Sequence, residues 1–167
     1  INLMDLIEKI CKQDNIILIE DACESLGSKY KNKNLGTFGL MSSFSTYFGH
    51  HMSTIEGGMV CTNDDYFANL LKSLRSHGWD RDMDDSKKKE LRSQYGISEF
   101  NSKYTFYNAG FNLRSTDLQA FLGIGQLKKL DYIVKKRNEN FNLYYNLLDD
   151  SIWKPEIRDT DYISNFA

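Results

Sequence analysis

The stretch MDLIEKICKQDNIILIED, residues 4–21, contains the pattern that decides the fold. Apolar residues, among them Leu6 and Ile10, recur there at helical spacing, so residues 2–14 are predicted to form an amphipathic helix. The apolar run IILIE follows directly and is typical of a strand that is buried on both faces. A helix that leads into such a strand, with helices and strands alternating afterwards, indicates an α/β fold with a mostly parallel sheet.

The next segments along the chain predict two further strands and two kinds of surface structure. MSSFSTYF, residues 41–48, and GGMVCT, residues 57–62, are the strand candidates. The Gly-punctuated basic segment GSKYKNKNLGTFG, residues 27–39, predicts a loop or a small hairpin at the surface. From Trp79 to about Phe100 charge replaces apolar periodicity, which predicts a solvated, mobile excursion.

Three more helices are predicted in the rest of the chain. One begins after Asp64 and ends at His77. Thr116 and Gln119 have the spacing of a capping box, which starts the second of these helices. The third covers residues 131–148 and carries an apolar stripe along one face.

Length, charge and cysteine content exclude several classes of protein. The chain has 167 residues, which is enough for one ordinary domain with a core. Its net charge of −2 gives no reason to expect nucleic acid or an anionic membrane as a partner. The longest aliphatic run, residues 16–19, is far too short to span a bilayer. Cys11, Cys23 and Cys61 form neither a paired framework nor a close metal-binding spacing, which predicts a reducing, cytoplasmic location.

Two acidic residues near the end of the first predicted strand are candidate site residues. Asp21 follows the strand directly, and open α/β sheets bind their ligands beyond the carboxyl ends of the strands. An Asp that binds the backbone amides of the next turn explains the position equally well. Glu24 is close enough in sequence to share a cation or a proton with Asp21, although a solvated loop Glu is the simpler interpretation.

The stretch SFSTYFGHHMSTIEGG, residues 43–58, places two of the three histidines side by side in a turn. Adjacent side chains diverge on most backbones, so only one of His50 and His51 is expected to face a given pocket. A metal site with Glu56 has poor ligand spacing, and an imidazole acting as acid and base is the stronger interpretation. Ser45 and the free amides of the turn could bind an anion, but most such serines satisfy a neighbouring backbone group.

A second candidate phosphate contact lies in GFNLR, residues 110–114. Here an amide and a guanidinium stand just before a capped helix, an arrangement that suits a phosphate group. Ordinary loop polarity is the alternative interpretation. Small residues at Gly57 and Gly58 indicate a tight turn or the close approach of another segment.

Four of these stretches, in their order and spacing, resemble the DegT/DnrJ/StrS sugar aminotransferase and dehydratase family of pyridoxal-phosphate enzymes. They are IEDACESLGSKYKNKNLGTFGLMSSFS at 19–45, EGGMVCTND at 56–64, LRSHG at 74–78 and GFNLRSTDLQAFLGIGQL at 110–127. The resemblance covers about residues 1–145. It implies an α/β fold: part of the three-layer, aminotransferase-like large domain, whose mostly parallel mixed sheet lies between helices.

The resemblance also implies a domain organisation. Residues 1–150 would form the central part of the large domain, and residues 151–167 would begin the C-terminal small domain. The family's earlier phosphate-binding turn and its substrate-binding C-terminal domain find no match in this sequence. We therefore expect a protein more than twice as long as this chain.

The family match implies a role for each candidate residue. Asp21 resembles the carboxylate that pairs with the pyridine nitrogen of the cofactor and keeps it protonated. Glu24 falls where the family carries a residue near the ring hydroxyl, and Ser45 matches the hydroxyl that binds the cofactor phosphate. Asn112 resembles the amide that reaches the phosphate of the neighbouring subunit, which implies a homodimer with a shared site.

The sequence departs from the family at His50, where most members place the lysine that attaches the cofactor covalently. Imidazole cannot form an imine with the cofactor aldehyde. Histidine here resembles the 4-keto-6-deoxysugar 3-dehydratase branch, which implies pyridoxamine phosphate as the working cofactor, glutamate as amino donor and a nucleotide-linked keto-deoxysugar as substrate. A second histidine branch uses an iron–sulfur cluster, but the stretch HGWDRDMDD, residues 77–85, contains no cysteine.

Two other functions remain open at this stage. A nucleotide-sugar 4-aminotransferase of the same family would need an amine at position 50. A non-catalytic homologue that binds the cofactor or a nucleotide sugar would retain Asp21, Glu24 and Ser45 as well, because binding alone needs them.

Overall fold

The computed structural model describes residues 4–149, 151, 157–158 and 160–164. Contacts divide the chain into two compact units, the first made of Ile1–Cys61 with Asp117–Ala167 and the second of Thr62–Thr116. The elements in chain order are α1 (Met4–Gln13), β1 (Ile19–Asp21), β2 (Lys29–Tyr30), β3 (Lys33–Asn34), β4 (Met41–Ser45), β5 (Gly58–Thr62), α2 (Asp65–Leu74), α3 (Asp85–Gln94), α4 (Glu99–Ser102), α5 (Asp117–Leu127) and α6 (Leu130–Leu147). Within the described ranges, every helix is too short or too polar to cross a lipid bilayer.

The first unit is built on a sheet in the order β1-β4-β5. β1 pairs parallel with β4, and the register sets Ile19 opposite Met41 and Asp21 opposite Ser43. β2 and β3 form a separate antiparallel hairpin. The structure therefore confirms the parallel pairing and the small hairpin that the sequence predicts.

The predicted burial of the first strand on both faces is wrong for the part of the chain that the structure describes. β1 begins only at Ile19, and the side chains of Ile16, Ile17 and Ile19 are 54%, 65% and 58% exposed. β1 has β4 as its hydrogen-bonded neighbour and lies at the edge of the sheet, so these isoleucines form an open apolar surface. Apolar composition predicts where a strand forms, but its covering layer depends on distant segments.

Three predicted helices of the first unit are confirmed. α1 and α6 match the helices expected at residues 2–14 and 131–148 to within a few residues at each end. α5 begins at Asp117, directly after Thr116 of the predicted capping box. Local periodicity is enough to place these helices because each depends on residues three or four positions apart.

The second unit starts with α2, whose beginning was predicted correctly. The carboxylate of Asp64 accepts a hydrogen bond from the Phe67 amide at 3.0 Å and caps the helix. α2 ends at Leu74 rather than at the predicted His77. The amides of Ser76 and His77 donate to the carbonyls of Ser73 and Phe111, so the helical hydrogen-bond pattern stops before His77.

Most residues of the charged stretch from Trp79 to Phe100 are exposed, as its composition predicts, but the stretch forms helices rather than an irregular excursion. It contains α3, and Asp80 before this helix is only 1% exposed. The Asp80 carboxylate pairs with Nε of Arg92 on α3 at 2.8 Å. One buried carboxylate thus ties the start of this stretch to α3, and single-sequence composition does not distinguish such a paired charge from the solvated ones around it.

The domain boundary predicted between residues 150 and 151 stays a prediction. Residues 150 and 152–156 lie outside the described part of the chain. After this gap the described segment 160–164 pairs with β2, because Lys29 and Tyr162 exchange two backbone hydrogen bonds of 2.8 and 3.0 Å. This pairing matters for the candidate site described below.

The carboxylate of Glu20 organises the turn before β4. It accepts hydrogen bonds from the backbone amides of Gly36 at 2.6 Å, Phe38 at 2.6 Å and Gly39 at 2.8 Å. Two of these bonds end on Oε1 and one on Oε2. Because a carboxylate has about four lone-pair positions, one side chain in β1 satisfies three amides of the connection into β4.

We expect Glu20→Ala to lower the free energy of unfolding by about 3 kcal/mol, because three partly buried amides lose a charged acceptor. Glu20→Gln should cost less, since its one carbonyl oxygen can still accept the two bonds that now end on Oε1. Urea unfolding of the three proteins, followed by circular dichroism, measures both values. Equal stability of Glu20→Ala and the wild type would contradict this account of the turn.

Candidate active site

Asp21 lies at the carboxyl end of β1 with its carboxylate exposed. Its Oδ1 accepts hydrogen bonds from the Cys23 amide at 3.1 Å and from the Ser43 hydroxyl at 3.0 Å. The Cys23 thiol and amide, the Ser43 hydroxyl and the nearby His50 together hold the pKa of the Asp21 carboxyl below its usual range. Both interpretations of this residue therefore apply, since it binds the next turn and also presents an ionised carboxylate at the sheet edge.

His50 and Glu24 lie side by side near Asp21. Nε2 of His50 is 3.4 Å from Oε1 of Glu24, and the two side chains are 20% and 75% exposed. Nδ1 of His50 is enclosed and has no hydrogen-bond partner among the described residues. The edge of the Tyr47 ring contacts the imidazole, with the ring centroids 5.3 Å apart. Two of the predicted site residues thus join Asp21 at the end of β1.

Ser45 is the last residue of β4 and lies two residues beyond Ser43. Residues two apart in a strand point to the same face, so the Ser45 side chain shares the face of the serine that contacts Asp21. Its hydroxyl accepts a hydrogen bond from the Tyr47 amide at 3.1 Å. This is the bond to a neighbouring backbone group that the simpler interpretation of Ser45 predicts, and its role toward an anion stays a prediction.

The turn that carries the two histidines is closed at its base by Thr46, Thr54 and Gly57. Thr54 donates its amide to the Thr46 carbonyl at 2.8 Å, and the two hydroxyls are 2.7 Å apart. The Thr46 amide donates to the Gly57 carbonyl at 2.9 Å. A Cβ at Gly57 would lie 2.5 Å from the Thr46 hydroxyl, so this position needs glycine. The predicted close approach of another segment is confirmed.

His51 points away from His50 and is buried, with 3% of its surface exposed. Its Nε2 lies 2.5 Å from the carbonyl oxygen of Ser164, in the segment that pairs with β2. Burial lowers the pKa of His51, and the positive charges of Arg137 and His50 lower it further, against the smaller effects of the Ser164 carbonyl and Glu24. The two imidazoles diverge as predicted, and only His50 lies beside Asp21 and Glu24.

Asn112 belongs to the second unit and is exposed. Its backbone forms an antiparallel bridge with Ser76, and the flanking amides of Phe111 and Leu113 donate to the carbonyls of Leu74 and Arg75. This pairing fixes the backbone of the GFNLR stretch against the segment that follows α2. The predicted contact of Asn112 with a phosphate in a neighbouring subunit stays a prediction.

The sequence analysis missed two residues that shape the site. Ser43 binds Asp21, and strand periodicity could have found it because it precedes Ser45 by two positions. The contact of His51 with Ser164 spans 113 residues and leaves no local signal. In the residues that the structure describes, no three His, Cys, Asp or Glu side chains are grouped so that they could hold a metal ion.

The fold and the arrangement of these residues define a class of protein. The sequence model of the DegT/DnrJ/EryC1/StrS aminotransferase family matches residues 1–161, and the chain belongs to this family. The α/β fold class predicted from the sequence is confirmed by the solved structures of aminotransferase-fold proteins that superpose on this chain.

Among the relatives, the chain is similar to GDP-4-keto-6-deoxy-D-mannose 3-dehydratase of Escherichia coli O55:H7. The two are 37% identical over 149 residues, which are 89% of this chain and 38% of that protein. A solved structure of the E. coli GDP-4-keto-6-deoxy-D-mannose-3-dehydratase with bound hydrated PLP superposes with a TM-score of 0.80 and 32% identity. The match covers 98% of this chain and 41% of that one.

A transaminase is also among the relatives. The UDP-4-amino-4,6-dideoxy-N-acetyl-beta-L-altrosamine transaminase of Campylobacter jejuni is 34% identical over 165 residues, which are 95% of this chain and 38% of that protein. The chain thus spans about two fifths of the length of the relatives it matches. Both dehydratases and transaminases are among these relatives, so similarity alone does not decide between the two reactions.

The buried His51 makes a testable contribution to the pH dependence of stability. Because its pKa is lowered in the folded protein, the unfolded chain binds a proton first as the pH falls below about 6.5. The folded state then loses stability, with a slope of up to about 1.4 kcal/mol per pH unit, until the folded protein is protonated too. We expect His51→Gln to remove this slope. Urea unfolding of both proteins between pH 5 and pH 7.5 measures it, and parallel pH profiles would contradict the prediction.

Proposed function

We propose that the protein uses pyridoxamine 5'-phosphate, formed from pyridoxal 5'-phosphate, to remove the C3 hydroxyl of a nucleotide-linked 4-keto-6-deoxyhexose. It would be a sugar 3-dehydratase that makes 3-deoxysugars. The observation that carries this proposal is the imidazole of His50, which lies beside Asp21 and Glu24 where most family members have a lysine. Similarity to the 3-dehydratase of E. coli supports the same assignment.

The residues at the end of β1 fit this cofactor chemically. Asp21 presents a carboxylate whose pKa is lowered, and such a group suits the protonated ring nitrogen of a pyridoxamine. The hydroxyl of Ser45 suits a phosphate oxygen. When bound, the cofactor supplies an amine that condenses with the sugar ketone and a ring that accepts electrons. Ser43 and Cys23 would hold Asp21 ionised and oriented toward the ring nitrogen.

His50 would move the protons of the reaction at Nε2. Nδ1 is enclosed, so Nε2 is the ring nitrogen that faces the open side of the site and the Glu24 carboxylate. As a neutral imidazole, His50 would accept a proton at Nε2. As an imidazolium, it would give that proton to the C3 hydroxyl of the sugar, which would leave as water. The carboxylate of Glu24 stabilises the positive charge while His50 holds the proton.

The lysines of the segment that follows Asp21 would not replace the missing amine. Lys29 and Lys33 lie on the β2–β3 hairpin, and Lys31 between them pairs with Asp5 of α1. With His50 in the usual lysine position, the cofactor would be held by Asp21, Ser45 and other polar contacts only. This supports a reaction that ends in loss of water rather than in amino transfer.

The remaining assignments extend the proposal to the whole protein. Glutamate would regenerate the pyridoxamine form of the cofactor as amino donor. Asn112 would reach the cofactor phosphate of a neighbouring subunit, so that a homodimer shares its two sites. The nucleotide-linked keto-deoxysugar would be bound in part by a C-terminal domain that begins near residue 151, and the enzyme would work in the cytoplasm.

A nucleotide-sugar 4-aminotransferase is the second candidate, because a transaminase is among the relatives. It is disfavoured by the imidazole at position 50, since transaminases of this family use an amine there. A homologue that binds the cofactor or a nucleotide sugar without catalysis is the third. It would not need the pairing of Glu24 with His50.

We expect the full-length protein to form a 3-deoxy sugar when it is incubated with pyridoxal phosphate, glutamate and a nucleotide-linked 4-keto-6-deoxyhexose. Mass spectrometry of the products distinguishes the candidates. An amino sugar would identify a transaminase, and bound cofactor without turnover would identify the non-catalytic binder. Omission of glutamate is the control, and it should prevent dehydration because the pyridoxamine form of the cofactor is then not made.

Two substitutions of His50 test two separate points: that its imidazole transfers protons, and that the cofactor is not attached to the protein by a covalent bond. We expect His50→Gln to lower the rate of dehydration by about 100-fold or more without attaching the cofactor, because no acid–base group remains. His50→Lys should also have no dehydratase activity, but it should bind pyridoxal phosphate covalently. Borohydride reduces that bond to a stable one, and peptide mass spectrometry detects the modified lysine. Unaltered dehydration in either variant would remove His50 from the mechanism.

A further inference from the structure

The one polar contact of the His50 ring among the described residues is weak. Its polar partner among the described residues is Glu24, at 3.4 Å, and three quarters of that side chain is exposed. Ion pairs with an exposed partner contribute little to position or stability because water screens them. The distance between His50 and Glu24 therefore depends on the Tyr47 ring that packs against the imidazole and on the backbone on either side of the pair.

On the His50 side, the backbone is held at the base of the turn and at the next residue. Thr46 and Thr54 close the base through a backbone hydrogen bond and paired hydroxyls. At the tip, the His51 ring is buried and lies 2.5 Å from the Ser164 carbonyl through Nε2. A side chain anchored one residue beyond His50 limits the movement of the His50 Cα.

On the Glu24 side, the same Ser164 is bound to the chain that follows Glu24. Its hydroxyl donates to the Leu26 carbonyl at 2.5 Å, and its amide donates to the Ser28 hydroxyl at 3.0 Å. Ser164 and Ser28 are both buried, at 0% and 1% exposure. Ser164 therefore joins two segments: one contains Glu24 two residues before Leu26, and the other contains His50 directly before His51.

We propose that His51 is a positioning residue that, through Ser164, holds His50 opposite Glu24. We call the chain of contacts His51–Ser164–Leu26 the histidine bracket. A carbonyl oxygen accepts only, so Nε2 of His51 carries the proton of that bond, and the buried Nδ1 has no partner among the described residues that would favour a second proton. The inference rests on the proposed role of His50, and it gives the second of the two adjacent histidines a task of its own.

The test compares two substitutions at His51. His51→Leu keeps an apolar side chain but removes the donor, and His51→Gln can place an amide N–H near the position of Nε2. We expect His51→Leu to lower kcat at least tenfold, because small displacements of a catalytic group are costly, with less than a threefold change in the affinity for pyridoxamine phosphate. His51→Gln should recover kcat to within about threefold of the wild type.

Asn138→Leu is the matched control. The Asn138 amide on α6 donates to the Ile163 carbonyl at 2.9 Å, one residue before Ser164. Its loss weakens the attachment of the same segment but leaves the histidine bracket in place. We expect Asn138→Leu to lower the midpoint of thermal unfolding about as much as His51→Leu while kcat stays within threefold of the wild type. Equal losses of kcat in both variants would show that His51 acts only through stability and would overturn the proposal.

A second readout does not depend on turnover. In the protein labelled with nitrogen-15 histidine, long-range proton–nitrogen correlation should show the Nε2–H tautomer of His51. Glu24→Gln should shift the ring signals of His50 in the wild-type background and leave them unshifted once His51→Leu has broken the histidine bracket. An Nδ1–H tautomer, or an equal shift in both backgrounds, would overturn the positioning role. Absence of dehydration in the wild type would overturn the proposed function alone.

Discussion

The parallel pairing of β1 with β4 is the constraint on which the site depends. Its register sets Asp21 opposite Ser43, so the hydroxyl of one strand binds the carboxylate of the other at 3.0 Å. The two strands end at the same edge of the sheet, and the turn that leaves β4 brings His50 to the end of β1. A slip of one residue would turn Ser43 away from Asp21, because side chains alternate between the two faces.

The two adjacent histidines have opposite environments although the chain offers them the same residue type. His50 has a partly exposed ring, and its Nε2 lies 3.4 Å from the Glu24 carboxylate. His51 is buried against a carbonyl oxygen, and burial keeps it neutral. Neighbouring positions in a turn point in different directions, and this geometry places one imidazole beside a carboxylate while the other is buried against a backbone carbonyl.

How much of the molecule could be predicted depends on how far apart in the sequence the interacting residues are. Local periodicity placed α1 and α6, and the rule that parallel sheets bind ligands at strand ends placed Asp21. The burial of β1 was predicted wrongly because its covering layer depends on distant segments, and the order around Asp80 was missed because composition does not show that Asp80 pairs with Arg92. The resemblance to a family brought Glu24 and His50 together before the structure did, whereas the contact of His51 with Ser164 has no counterpart in any local pattern.

Glu20 and Asp21 are neighbours in β1 but point to opposite faces of the strand. Glu20 accepts hydrogen bonds from three amides of the turn before β4, and the Asp21 carboxylate is exposed at the edge of the sheet. The carboxylate that stabilises the turn and the exposed carboxylate thereby lie on separate sides of one short segment. Evolution can then retune the reaction on one side while the architecture on the other stays intact, which suits a scaffold that serves both lyases and nitrogen-transfer enzymes.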